Sequence, residues 1–176
     1  EFNPEKAKEL LKEAGYGEGE GLKQLPKVTL NFNTNENHQL LAENVQAQLR
    51  RNLGLNVELK NEEWKVYLKT LRTDNFGMFR MGWISDYPDP NDFMSLMLSY
   101  SENNRTKWGN EKYDSLVEKA ASELDASKRS ETYAKAQEIL MEKDAPIIPI
   151  YAYASNVLVS KRLKNFPINE MRQFPL

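Results

Sequence analysis

The chain has no cysteine, which excludes disulfides and thiolate metal sites. That leaves the redox compartment open, because a disulfide-free protein folds in any of them. It has one histidine, His38, so a histidine-rich metal site is impossible and a Ser-His-Asp arrangement would have to use that residue. No Gly-x-Ser-x-Gly turn exists to present a serine nucleophile. No apolar run reaches the roughly 18 residues that a membrane-spanning helix needs. The net charge of -2 gives no reason to expect nucleic acid or an anionic membrane surface as a partner. There is no initiator methionine and no signal-peptide pattern, and the expectation from both ends is a fragment of a longer protein.

What is present fits one soluble α/β domain. The 176 residues are 40% hydrophobic and 28% charged, enough for a real core. Asn3-Pro4 reads as an N-cap followed by proline at the first helical position. Ala7, Leu10, Leu11 and Ala14 follow at helical spacing, and Gly15 closes the helix. The glycine-alternating stretch Gly15–Gly21 carries two glutamates and follows a helix, so it reads as a flexible connection and not as a phosphate loop. Lys27–Phe32 alternates as a strand. Leu41, Val45, Leu49 and Leu53 mark a helix ending at Gly54, and Leu55–Leu59 alternates as a second strand. Strand, helix, strand in this order makes a parallel βαβ unit with a right-handed crossover.

A helix with Trp64, Tyr67, Leu68 and Leu71 on one face comes next and ends at Thr73-Asp74-Asn75. From near Phe76 a central strand is expected, with Met78–Ile84 as its buried apolar run. It breaks into Ser85-Asp86-Tyr87-Pro88, after which Asp89 is a helix N-cap, Pro90 the first helical residue and Asp92 a first-turn acid. Phe93–Leu98 is a short apolar helix, and Tyr100–Gly109 a polar loop containing the sequon Asn104-Arg105-Thr106. Tyr113, Leu116, Val117, Ala120 and Leu124 define another helix. Ser127 caps a last one carrying Tyr133, Ala136 and Leu140 to near Asp144. Ile147–Val159 reads as a long strand whose start lies at an edge or bulge because of Pro149. The sum is four strands and five or six helices, a mixed sheet with flanking helices.

The loop after Ile84 carries the chemistry. Trp83 offers an aromatic face and Asp86 a carboxylate, a pair suited to a positively charged ligand group. Asp86, Asp89 and Asp92 lack the central glycine and closing glutamate of an EF-hand. Asp86 and Asp89 could form an acid/base pair of a hydrolase, but capping claims Asp89 and leaves Asp86 alone. Trp64, Trp83, Tyr151 and Tyr153 each read equally as core aromatics. Arg80, a charge inside an apolar run, requires a partner carboxylate or a cleft.

The motif Gly82-Trp83-x-x-Asp86-Tyr87-x-Asp89-Pro90-x-x-Phe93 resembles that of the oligopeptide-binding proteins of bacterial ABC importers, the family 5 extracellular solute-binding proteins. Three other stretches agree in order and spacing: Asn3-Pro4-Glu5-Lys6-Ala7-x-x-Leu10-Leu11-x-x-Ala14-Gly15-Tyr16, Glu63-Trp64-x-x-Tyr67-Leu68, and Asp144-Ala145-Pro146-x-x-Pro149-x-Tyr151. The resemblance implies a periplasmic-binding-protein-like α/β lobe. Residues 1–176 would be one such lobe, the C-terminal part of a three-lobed receptor about three times longer. It implies an extended oligopeptide as ligand, permease subunits of the ABC importer as partners, a monomer without cofactor or metal, and no catalysis. The implied location is extracytoplasmic, either periplasmic or as a membrane-anchored lipoprotein.

By the same resemblance Asp86, with Trp83 and backbone near Ile84, holds the peptide's α-amino group. Trp64 lines a side-chain pocket, Arg80 and His38 meet the peptide's C-terminal carboxylate, and Tyr153 lies near the ligand. Ile84 and Ser85 stand where small residues or cysteine are usual. Other ligands of such receptors are dipeptides, nickel complexes, haem and sugars.

Overall fold

The computed structural model describes residues 2–17, 19–73, 77–154 and 156–166. The expected strand start near Phe76 and the tail to Leu176 lie outside the described residues. The chain falls into two compact units, Glu1–Gly82 and Trp83–Leu176, each taken by itself below.

In the first unit, helix α1 (Pro4–Glu13) starts as its sequence dictates. Asn3 accepts from the Lys6 backbone N–H at 3.0 Å and Pro4 opens the first turn. Its apolar stripe is not buried, and Leu10 is more than half exposed. The glycine-rich stretch is not wholly irregular: a one-turn helix, α2 (Glu20–Lys23), forms at its end.

Strand β1 (Val28–Asn33), helix α3 (Glu36–Leu53) and strand β2 (Val57–Glu62) form the expected βαβ unit, with β1 and β2 parallel in the register Val28↔Val57 to Asn33↔Glu62. Asn35 caps α3 by accepting from the backbones of Asn37 and His38, and Gly54 ends it at φ 69°, a left-handed conformation that suits glycine. Leu30, Phe32, Ala42 and Val57 make the core here, with Val45 and Leu49 of α3 packed against them. Fully burying a side chain of the Leu or Phe kind contributes about 1.5–3 kcal/mol. Helix α4 (Trp64–Thr73) also packs on β1 and buries Tyr67 and Leu71 outside that cluster.

The expected central strand is the main correction. Strand β3 is only Met78–Phe79 and pairs parallel with Leu30 and Asn31 of β1, so the sheet order is β2-β1-β3 and β1 is the central strand. One more ladder bond, Arg80 N to Asn31 O at 2.8 Å, extends the pairing, after which the chain leaves the sheet. Ile84 is 82% exposed, not buried. The fold is α/β as expected, but both described ladders are parallel, so the sheet is not mixed among the described residues.

In the second unit, α5 (Pro90–Met94) is capped by Asp89 and runs into a single 3-10 turn at Ser95–Met97. Asn110 caps α6 (Glu111–Ser122). Asp125, not Ser127, caps α7 (Ala126–Glu138), accepting from the backbones of Ser127 and Lys128 at 3.0 Å each. Both residue types cap well, and the aspartate wins because it stands one residue before the helix. Leu124 lies beyond α6 and is fully exposed, contrary to its expected place on the buried face. A turn of π-helix, Ile139–Lys143, follows α7. The core joins Met94, Met97 and Leu98 to Tyr113, Val117 and Ala120 of α6 and to Tyr133, Ala136, Ile139 and Leu140.

Asn104 of the sequon is a loop organiser: its side-chain amide donates to the carbonyls of Met97, Leu98 and Trp108. Ile147–Val159 forms no strand in its described residues, and Ile148, Ile150 and Leu158 are exposed. Alternating apolar residues have strand propensity, but a strand exists only where a partner completes its ladder.

Candidate functional site

His38, Trp64 and Arg80 belong to the first unit; Trp83, Ile84, Asp86 and Tyr153 belong to the second.

In the first unit the parallel topology brings the ends of β1 and β3 near the start of α3. His38 sits in the first turn of α3, half-buried, with Nδ1 shielded and without a hydrogen-bond partner among the described residues. Burial pushes its pKa below the ordinary value, and the nearby Arg80 guanidinium pushes the same way, while a hydrogen bond with the Asn33 backbone opposes them. Burial and the Arg80 charge both favour the neutral imidazole over its protonated form. Arg80 is half-buried, and its carbonyl accepts from the Tyr67 hydroxyl, which also reaches the Asn31 carbonyl. Burial raises the Tyr67 pKa strongly, so the phenol stays a donor. Trp64 opens α4, is 45% exposed, and lies tilted to Tyr67 with ring centroids 6.3 Å apart. Glu63 holds the start of that helix by accepting from Lys65 N at 2.8 Å, a cap that the sequence reading had not assigned. The residue type explains the miss, since glutamate is not among the favoured N-cap residues.

In the second unit Trp83 is half-buried and Asp86 exposed. They are joined by a residue that had been read only as a favourable first-turn charge. Asp92 is 5% exposed, and its Oδ2 accepts from Trp83 Nε1 at 2.7 Å and from the Asp86 backbone N–H at 3.3 Å. A buried indole N–H requires an acceptor, and that need was the one available signal. Asp89 is equally committed. It accepts from Asn91 N at 2.8 Å and from Arg129 Nη2 at 2.7 Å. The Arg129 hydrogen bond, with that from Asn91, holds the Asp89 carboxyl below its ordinary pKa, the wrong direction for a general acid. Of the three loop carboxylates, Asp86 is the exposed one. Tyr153 lies exposed, with a described ring contact to Tyr151, edge-on at 4.9 Å. A shallow cavity of about 550 Å³, lined by Gln46, Arg50, Arg51 and Asn56 among others, contains none of the candidate residues.

The chain belongs to the bacterial extracellular solute-binding proteins, family 5, whose middle-region model matches residues 1–105. It is 41% identical over 163 residues to the periplasmic murein peptide-binding protein MppA of Escherichia coli (strain K12), covering 93% of this chain and 29% of that one. It is 39% identical over 155 residues to the periplasmic oligopeptide-binding protein OppA of Salmonella typhimurium (strain LT2), covering 88% of this chain and 28% of that one. The solved structure of the Escherichia coli murein tripeptide-binding protein MppA superposes with a TM-score of 0.79 at 40% identity, over 85% of this chain and 28% of that one. The chain thus spans well under a third of the length of these relatives. Among its described residues no helix is long and apolar enough to cross a membrane.

Proposed function

We propose that the chain is part of the ligand-binding lobe of an extracytoplasmic receptor that delivers peptides to an ABC importer. In this reading Asp86 binds the peptide's free α-amino group, with Trp83 and the backbone near Ile84 beside it. Trp64 lines a side-chain pocket, Tyr153 lies near the ligand, and Arg80 and His38 meet the peptide's C-terminal carboxylate. The receptor works as a monomer without cofactor or metal, docks on permease subunits, and catalyses nothing.

The observation that carries this is the exposed Asp86 carboxylate on a loop braced by Asp92 in a chain of this family. Relatives named for murein peptides and oligopeptides support the ligand class. End charges orient a peptide independently of its sequence, and main-chain hydrogen bonds with wet, tolerant pockets hold the rest. A hydrolase built on Asp86 and Asp89 is disfavoured, because Asp89 is tied to Arg129.

Titration calorimetry of the intact receptor with a mixed peptide pool, followed by product analysis, tests the reading. Heat without turnover is expected; new products would mean an enzyme, and silence would mean another solute (a nickel complex, haem or sugar) or none. Asp86→Asn removes the partner of an enclosed ammonium group, which typically costs roughly 3–5 kcal/mol, or about 150- to 5,000-fold in affinity. N-acetylation of the peptide should weaken binding to the wild type strongly and to Asp86→Asn much less. Equal losses in both would end the assignment of Asp86. The 176-residue chain alone should bind only at roughly millimolar concentration, since it cannot enclose a ligand as a whole receptor does.

A further inference from the structure

Among the described residues of the second unit Asp92 is the buried acid, and its side chain is turned to the protein. A buried carboxylate needs donors to offset its lost hydration. Asp92 finds two, the indole N–H of Trp83 nine residues back and the backbone N–H of Asp86 six residues back, both at one oxygen, Oδ2. A single atom therefore sets the rotation of the Trp83 ring and the backbone position of Asp86. The helix that carries Asp92 is itself fixed. Asp89 at its cap pairs with Arg129, Asn91 accepts from the Tyr133 hydroxyl at 3.1 Å, and Asn91 donates to the Tyr87 hydroxyl at 3.1 Å. Arg129 and Tyr133 both stand on α7, so the loop is referenced to the core of the second unit.

We propose that Asp92 is the positioning residue of the amine-binding loop: it holds the Trp83 face and the Asp86 main chain in the arrangement that receives the ligand's ammonium group, without touching the ligand. The proposal rests on the reading of Asp86 given above and adds the residue on which the geometry of that site depends. Preorganisation of this kind raises affinity by removing an ordering cost at the moment of binding. It also predicts coupling, because a residue that acts through Asp86 has nothing left to act on once Asp86 is neutralised.

The test uses the intact receptor, a pool of unmodified tetrapeptides, and the same pool N-acetylated. Four variants are titrated against the wild type: Asp86→Asn, Asp92→Asn, Asp92→Ala and the double Asp86→Asn/Asp92→Asn. Asp92→Ala should weaken free-amine peptides by on the order of tenfold or more, the low end of what outer-shell partners of binding groups contribute. Acetylated peptides should be nearly unaffected, and the double variant should bind no worse than Asp86→Asn within about twofold. Asp92→Asn keeps an acceptor for the indole and is nearly isosteric, so it carries the test if the alanine variant unfolds; its loss should be smaller and in the same direction. A readout independent of peptide is the indole N–H resonance of Trp83. It should shift and exchange faster in Asp92→Ala, while those of Trp64 and Trp108 stay in place.

Full additivity of the Asp86 and Asp92 losses, equal loss for acetylated peptides, or a displaced Trp83 resonance with unchanged affinity would each overturn the proposal. Loss at Asp86 without loss at Asp92 overturns this proposal alone. An Asp86→Asn receptor that binds like the wild type overturns the amine-anchor reading, and the role given to Asp92 falls with it.

Discussion

Arg129 of α7 donates from Nη2 to Asp89 Oδ1 at 2.7 Å and from Nε to the Ala120 carbonyl at 3.1 Å, so one guanidinium ties the cap of α5 to the end of α6. Asp89 is thereby both a helix cap and half of an ion pair, each side chain about a quarter to a third exposed.

Asp89→Asn separates those two roles. Asparagine caps as well as aspartate does, so only the ion pair is lost. Because the pair is partly solvated, the melting temperature should fall by no more than a few degrees. The loss should also be pH-dependent. The Asp89 pKa is depressed by Arg129 first and by the Asn91 N–H second, so its contribution is present above the ordinary carboxylate value and disappears as the pH falls below it. Thermal melts of the two proteins should therefore converge in acid. A difference that persists undiminished there would show that the aspartate acts through something other than its charge.

Much of this was legible in the sequence, and the failures have physical causes. The caps at Asn3 and Asp89 and the glycine stop at Gly54 are local chemistry, and they stand where the residues place them. The βαβ unit follows from two periodicities that differ. Met78–Ile84 and Ile147–Val159 were misread because apolar runs report propensity, whereas a strand is a relation between two segments that no window of sequence contains. The placement of Asp86 on an exposed loop was readable from its position past the apolar run. The role of Asp92 was not, since it depends on where the Trp83 indole points, and Arg129 lies 40 residues from the aspartate it serves.

Asn31 stands in the central strand at 1% exposure, and neither side-chain amide atom has a hydrogen-bond partner among the described residues. An unsatisfied buried amide costs about 1–3 kcal/mol in desolvation. Asn31→Leu is close to isosteric and leaves the backbone bonds from Tyr67 and Arg80 untouched. It should stabilise the protein by about 1–3 kcal/mol in urea unfolding at unchanged m-value. A destabilised variant would mean that the amide has a partner, such as an ordered water, which the leucine expels.

Tyr67 is fully buried, with its hydroxyl spent on two carbonyls, those of Asn31 and Arg80. Tyr67→Phe keeps the ring and deletes the donor, which should cost about 1–2 kcal/mol. If the Arg80 main chain is fixed by this bond, amide exchange near Arg80 should accelerate more than exchange in α3. Uniform acceleration would mean that the hydroxyl contributes stability without local positioning.

His38 makes the last prediction, because its sign can be fixed in advance. Its folded pKa lies below the ordinary 6.5, through burial first and the Arg80 charge second, against an opposing hydrogen bond at the Asn33 backbone. For a histidine shifted down, the unfolded chain binds the proton more tightly than the folded one. Stability therefore rises with pH through the interval between the folded value and the unfolded one. The contribution is fully present above about pH 6.5 and is lost as the pH falls below it. Comparing wild type with His38→Gln isolates the term, since glutamine does not titrate. The wild type's melting temperature relative to the variant's should be highest near pH 7.5 and decline by a few degrees toward pH 5. Arg80→Gln should flatten this dependence without abolishing it, because burial is the larger cause. Should the wild type instead gain on the variant as the pH falls, the folded state would bind the proton more tightly. The downward shift assigned to His38 would then have the wrong sign, and burial and the Arg80 charge would not be what governs its protonation.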